Sequence, residues 1–203
     1  MNEQLVELSR TLKSRGFQVH ICNDRVKAVD CVSRLISEYG ICESIGFGNS
    51  ITLISIGLQE RLLKYTHNIF IHTPIGTEEA DRKALTADFY FTSANAISMD
   101  GHIVNIDGTG NRTAATCFGP KHVIYLIGRN KVTNTLEDAL FRVRNVVAVE
   151  LARRYNRKTP CNITGKCEDC ISPECICAVT TIHRKKPYGV DITVILIDED
   201  LGI

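Results

Sequence analysis

The sequence predicts an α/β fold, a mainly parallel sheet flanked by helices, with a cysteine-rich loop near the C-terminal end. Three observations carry this. Short apolar runs alternate with stretches of helical spacing between residues 24 and 92. A glycine-containing loop follows one apolar run and opens a helical pattern, as in strand–loop–helix units of parallel sheets. The length of 203 residues suits one sizeable core and is short for two domains, so a single α/β domain over 1–203 is expected, with the cysteine loop at 158–178 inside it.

Taken in order, Val26, Val29, Val32, Leu35, Ile36 and Tyr39 recur at helical spacing, with Asp24 as N-cap and Gly40 as stop. Residues 43–46 read as a short buried strand, and 51–65 as a helix after the loop 46–50. Residues 68–72 form the next strand, 77–87 a short helix led by Glu78, Glu79 and Asp81, and 88–92 another strand. Runs 95–99 and 102–106 flank Asp100-Gly101, a dipeptide suited to a two-residue hairpin, so antiparallel strands are expected to join the parallel sheet. A second glycine loop, 107–112, leads into a short Ala-rich helix stopped by Gly119-Pro120, and strand 123–127 follows. Leu136, Ala139, Leu140, Val143, Val147 and Leu151 mark a long amphipathic helix starting near Thr135. Periodicity then lapses over 158–176 before closing strands at 178–182 and 192–197.

Composition narrows the function classes. The chain carries 24 Lys and Arg against 23 Asp and Glu, a formal charge of +1, so no overall field favours nucleic acid or an anionic membrane. Residues 1–16 mix charges among apolar positions, unlike a signal peptide, and no apolar run approaches the roughly 18 residues a bilayer needs. A cytoplasmic protein, with neither nucleic acid nor membrane as partner, is expected.

Two loops are candidates for binding an anion. In the first, Gly46, Gly48, Asn49 and Ser50 sit between a strand end and a helix start, where backbone N–H groups and the helix dipole favour negative charge; a tight turn alone would also use these glycines. No Gly-Lys-Ser/Thr follows and the third glycine of a dinucleotide fingerprint is absent, so nothing points to ATP or NAD. The second gathers Asn105, Asp107, Gly108, Asn111 and Arg112 around flexible backbone, and Arg112 can clamp a carboxylate or phosphate. Asp107 suits a catalytic base or a holder of a substrate hydroxyl, and equally a turn former. Ser93 and Asn95 lie just past a strand end, where ligands of open α/β sheets bind; they also suit a polar strand cap. Asp107 and Asn95 are the candidates for catalysis. The six histidines show no ligand spacing, and no Gly-x-Ser-x-Gly elbow is present.

Of nine cysteines, Cys22, Cys31, Cys42 and Cys117 lie in apolar or helical surroundings and are read as core. The other five, Cys161, Cys167, Cys170, Cys175 and Cys177, crowd into one charged, proline-containing segment. Four thiolates suit zinc or an iron–sulfur cluster, and the Cys-x2-Cys step is the specific part; no second such step follows, so disulfides or free surface thiols are the competing readings. Only one of Cys175 and Cys177 ligates readily if their segment is extended.

Ile45-Gly-Phe-Gly-Asn-Ser50, residues 87–97, Asp100-Gly101, Val104-Asn-Ile-Asp-Gly-Thr-Gly-Asn-Arg112 and Phe118-Gly-Pro-Lys-His-Val123 resemble the LUD-domain (lactate utilisation) family. The tail, from Lys158-Thr-Pro-Cys161 through Cys177 to residues 192–196 and 199–202, resembles its cysteine-bearing branch, so the resemblance covers nearly the whole chain. It implies a fold like that of ribose-5-phosphate isomerase, glucosamine-phosphate deaminase and the CoA transferases, in which a glycine loop after a strand holds an anionic substrate. Here Asn49 stands where relatives more often have glycine. Cys175 departs as well, leaving Cys161, Cys167, Cys170 and Cys177 as the family-like metal ligands.

The resemblance implies a protein of organic-acid, lactate-type metabolism that binds a small anionic metabolite. Two rivals stand beside it: an accessory or electron-transfer subunit with a metal or iron–sulfur centre, docking onto iron–sulfur oxidoreductase subunits, and a non-catalytic regulatory module. Catalysis and oligomeric state stay open, a homo-oligomer included.

Overall fold

The computed structural model describes residues 2–40, 42–72 and 77–203. Helix α1 (Glu3–Ser14) starts at Asn2, whose side chain accepts from the Gln4 N–H, and fully buries Leu5, Leu8 and Leu12 on one stripe, each stabilising by about 2 kcal/mol. Strand β1 (Gln18–Cys22) follows, then α2 (Arg25–Tyr39), capped by the Asp24 carboxylate on the Lys27 N–H and ended by Gly40 at φ +87°. Next come β2 (Ile45–Phe47), α3 (Ile51–Ser55) and α4 (Leu58–Leu62). The helix expected over 51–65 is thus broken, because Gly57 adopts φ +63°, where only glycine is relaxed. A dipole argument for this loop rests on a single turn.

Strand β3 (Ile69–Ile71), helix α5 (Glu78–Ala84) capped by Thr77, and β4 (Phe89–Thr92) complete the first half. The second half holds β5 (Ala96–Ser98), β6 (Ile103–Asp107), α6 (Asn111–Cys117) and β7 (His122–Gly128). A 3₁₀ turn, Arg129–Lys131, then leads into β8 (Val132–Thr133). Helix α7 (Leu136–Arg142) opens with a Thr135–Asp138 capping box, widens into a π-helical turn at Val143–Val147 and continues as α8 (Ala148–Arg154). A one-turn helix α9 (Pro160–Thr164), β9 (Val179–His183) and β10 (Asp191–Ile197) follow.

Six parallel strands form the main sheet in the order β1-β10-β7-β4-β2-β3. Side chains alternate between two cores. Phe89, Phe91, Ile124, Leu126, Ile195 and Ile197 meet α2, α3 and α4, while Tyr90, Val123, Tyr125, Ile127, Val194 and Leu196 meet α1 and strands β5 and β6. Burial on both faces is why these strands read as continuous apolar runs.

The antiparallel strands do not join this sheet. They form a second one, β8-β5-β6-β9, in which β9 runs antiparallel to β6 with Val104 opposite Ile182. Its outer side carries a small third core of Ala96, Val104, Ile106, Ala139 and Val143. The hairpin also differs from expectation. The Ser98 N–H donates to the His102 carbonyl and the Gly101 N–H to that of Ser98, leaving a three-residue loop with Gly101 at φ +82°. Asp-Gly here serves the left-handed third position of a longer loop, not a two-residue turn. Among the described residues no helix is long and apolar enough to cross a membrane.

Candidate functional site

The parallel strands β2, β4 and β7 end at Phe47, Thr92 and Gly128, and the segments that follow them, with the β6–α6 loop, enclose a cavity of about 350 Å³. This is the side of an open α/β sheet on which ligands bind. Val147, Leu151, Tyr155 and Arg157 close it from the helix side, Ile176 from the cysteine loop and Ile203 from the C-terminal segment.

Its floor is polar and buried. Lys131 is 4% exposed, and its Nζ donates to Thr52 Oγ1 at 2.8 Å and Ser93 Oγ at 3.0 Å. Burial, then the nearby Arg142 and Arg112 cations, pull its ammonium down to about 7. Thr52 in turn donates to the Leu201 carbonyl and Ser93 to that of Leu126. Gly202, at φ +73°, lets the C-terminal backbone lie over this group; a Cβ there would sit 2.6 Å from Thr52 Oγ1.

One wall is a hydrogen-bonded chain. Tyr90 Oη lies 2.9 Å from His72 Nδ1, and His72 Nε2 lies 3.1 Å from the Asp81 carbonyl, which fixes Nε2 as the donor and Nδ1 as the acceptor. Burial lowers the His72 pKa, keeping the ring neutral. Asn111 donates to Asp81 Oδ2, whereas Asp81 Oδ1 is buried without a partner. Arg157, also in the cavity lining, is the complementary case, with a buried Nε that has no acceptor.

The β6–α6 loop carries most of the expected residues, and its hydrogen bonds give them structural work. Asp107 Oδ2 accepts from the Arg112 and Thr113 N–H groups and Oδ1 from that of Thr109, so this carboxylate caps α6. Arg112 donates to the Ile106 carbonyl and to Asn95 Oδ1, with Asp107 Oδ2 3.8 Å from its Nε. Asn95 accepts from the Ile106 N–H, and Asn105 is fully buried, accepting from the Asn95 N–H and donating to Tyr125 Oη.

Asn49, Ser50, Ser93, Asn95, Asp107 and Gly108 line the cavity together with Asn111 and Arg112; Gly46, Gly48 and Asn105 do not. The two glycines make room instead. A Cβ on Gly46 would lie 2.7 Å from Tyr90, and one on Gly48 2.8 Å from Thr92 Oγ1 and 2.9 Å from Arg112 Cγ. The Gly48 N–H is spent on the Phe91 carbonyl, and Ser50 occupies the N-cap position of α3 with no side-chain cap bond. Thr52, His72, Asp81, Lys131 and Arg157 were not anticipated. The rule that singled out Ser93 and Asn95, a polar residue just past a strand end, applies equally to Lys131.

Cys22 and Cys31 are buried as expected, but Cys42 is half-buried and Cys117, the last residue of α6, is exposed with Sγ 3.9 Å from His183 Nε2. In the C-terminal loop all five thiols are half-buried. Burial raises Cys177 to about 11, with Cys175, Cys167, Cys170 and Cys161 adding like-charge repulsion. Among the described residues no three His, Cys, Asp or Glu side chains are grouped so as to hold a metal ion. The loop does touch the cavity wall: a Cβ on Gly108 would lie 3.1 Å from Ile176 Cα.

Fold and site together define an α/β protein with a partly basic cavity at the carboxyl ends of its parallel strands. The LUD domain family model matches residues 5–197, and the chain belongs to that family. It is also similar in fold to a crystal structure of a DUF162 family protein from Deinococcus radiodurans, with a TM-score of 0.57 and 12% identity over 96% of each chain. No curated protein matches.

Proposed function

We propose that this LUD-domain protein binds a small carboxylate or phosphate metabolite of organic-acid, lactate-type metabolism in the cavity beside Lys131. The observation that carries this reading is Arg157. Arg157 lines the cavity, its Nε is buried without an acceptor, and among the described residues no carboxylate lies within ion-pair distance of it. A buried donor of this kind is costly unless something fills it, and an anion does so with a charge-assisted hydrogen bond. The orphan Oδ1 of Asp81, another residue of the cavity lining, suits a hydroxyl on the same ligand. A hydroxy acid presents both groups.

Calorimetry with lactate, glycolate, phosphate and sulfate tests this. Arg157→Ala is expected to weaken binding of the preferred anion by about 2 kcal/mol, the scale of a hydrogen bond to a charged group. No binding by any of the four, or equal binding by the variant, rejects the reading.

A second reading rests on the crowded thiols. Closure of the loop around a soft metal ion would bring Cys161, Cys167, Cys170 and Cys177 together as thiolate ligands, which would suit an accessory or electron-transfer role.

A further inference from the structure

Hydrogen-bond accounting at the cavity floor points to a chemistry beyond anion binding. Lys131 Nζ has two partners, Thr52 Oγ1 at 2.8 Å and Ser93 Oγ at 3.0 Å, and no carboxylate within ion-pair distance among the described residues. Each hydroxyl owns one hydrogen. Thr52 directs its own toward the Leu201 carbonyl at 3.3 Å, and Ser93 toward the Leu126 carbonyl at 2.6 Å. Both oxygens must therefore accept from Lys131, and neither can donate to it. A neutral amine has two hydrogens, and this cradle uses both. Its lone pair is left without a donor, on a residue that lines the cavity.

We infer that Lys131 is a nucleophilic amine and that the cavity takes a small acid bearing a carbonyl group, which Lys131 captures as an imine. The inference rests on the reading of the cavity as an anion site and names the substrate class of that site. The Nζ lone pair adds to the carbonyl carbon, and one amine proton passes to the carbonyl oxygen to give a carbinolamine. Loss of water from that adduct leaves the C=N bond, so amine plus carbonyl gives imine plus water. The anionic group of the same ligand faces Arg157. Burial and the neighbouring Arg112 and Arg142 cations favour the neutral amine near neutral pH, where an exposed lysine stays protonated.

The test is reductive trapping of the full chain with glyoxylate or pyruvate and sodium cyanoborohydride, followed by peptide mapping. Lys131 is expected to be labelled on the order of a hundredfold faster than exposed lysines at pH 7, the advantage its lowered pKa confers after allowance for weaker basicity. Its rate should rise with pH through about 7 and then level. Lys131→Met should lose that adduct while keeping the parent's circular dichroism; if this variant does not fold, the site map of the parent decides alone. Labelling spread evenly over surface lysines, or none on Lys131, overturns the inference. If phosphate or lactate still binds in calorimetry while no Lys131 adduct forms, only the imine chemistry fails. If no anion binds either, the cavity reading fails with it.

Discussion

The floor of the cavity and the cysteine loop are both polar regions with reactive side chains, yet they are ordered in different ways. At the floor, Lys131, Thr52 and Ser93 are each less than 5% exposed, and they are tied to one another and to the backbone carbonyls of residues 126 and 201. The anchors are the ends of a six-stranded sheet and the segment after its last strand, so the order exists without a ligand. In the loop, α9 buries no residue, and the chain is held by the Lys158 N–H on Glu174, Ser172 on the Lys158 carbonyl and an exposed Arg144–Asp169 ion pair. Such exposed contacts contribute little each. Reactive groups on the sheet are thus fixed by a buried network, whereas those in the loop are held by fewer, half-buried contacts, such as the Cys167 N–H on Asn145 and Cys177 against the third core.

The largest expected effect probes the floor through pH. The folded-state pKa of Lys131 is depressed to about 7, so the unfolded chain holds more protons above that value, and wild-type stability rises with pH between about 7 and the usual lysine pKa. Below pH 7 the burial penalty is fully present. Denaturant titrations across this range should show wild type gaining a few kcal/mol on Lys131→Met; parallel pH profiles would mean that the amine is solvated. A smaller effect is expected from Gly48→Ala. It should cost about 2 kcal/mol, because the new Cβ meets Thr92, Tyr90 and Arg112 together. An unchanged midpoint would show the floor to be as yielding as the loop.

The smallest effect belongs to the loop. In metal-free protein, the Cys167→Ser and Cys170→Ser double variant should unfold within about 0.5 kcal/mol of the parent. Iron, zinc and sulfide analysis of both proteins purified without oxygen completes the contrast: metal in the parent and none in the variant is expected if the thiols close on an ion, and equal content in the two dismisses that reading.

What could be read from the sequence followed locality. Helix α2 begins and ends where Asp24 and Gly40 place it, because caps act over three or four residues. The separate second sheet was not legible, since the pairing of Val104 with Ile182 joins segments far apart in sequence and no local pattern specifies it. Helix α1, by contrast, is legible in the local spacing of Leu5, Leu8 and Leu12. At the site, the loops that sequence chemistry singles out border the cavity, and their side chains also carry hydrogen bonds that hold the loops themselves. Asp107 and Arg112 look like a base and a clamp, yet both are spent on one another and on backbone. Arg112→Ala accordingly removes contacts to Ile106, Asn95 and Asp107 as well as a cation of the cavity lining.

The π-helical turn at Val143–Val147 sets the phase of everything after it. Such a turn holds one residue more than a regular one, and each residue of an α-helix advances the side-chain direction by roughly 100°. Forcing all five residues into regular α-helix would swing Leu151 around the axis, away from the cavity it helps to close, whereas deleting one of them would leave the phase close to its present value. The inserted residue thus acts as an indexing tooth: the helix presses Ala139 and Val143 onto the second sheet before it, and turns Leu151 toward the cavity at the first sheet's strand ends after it.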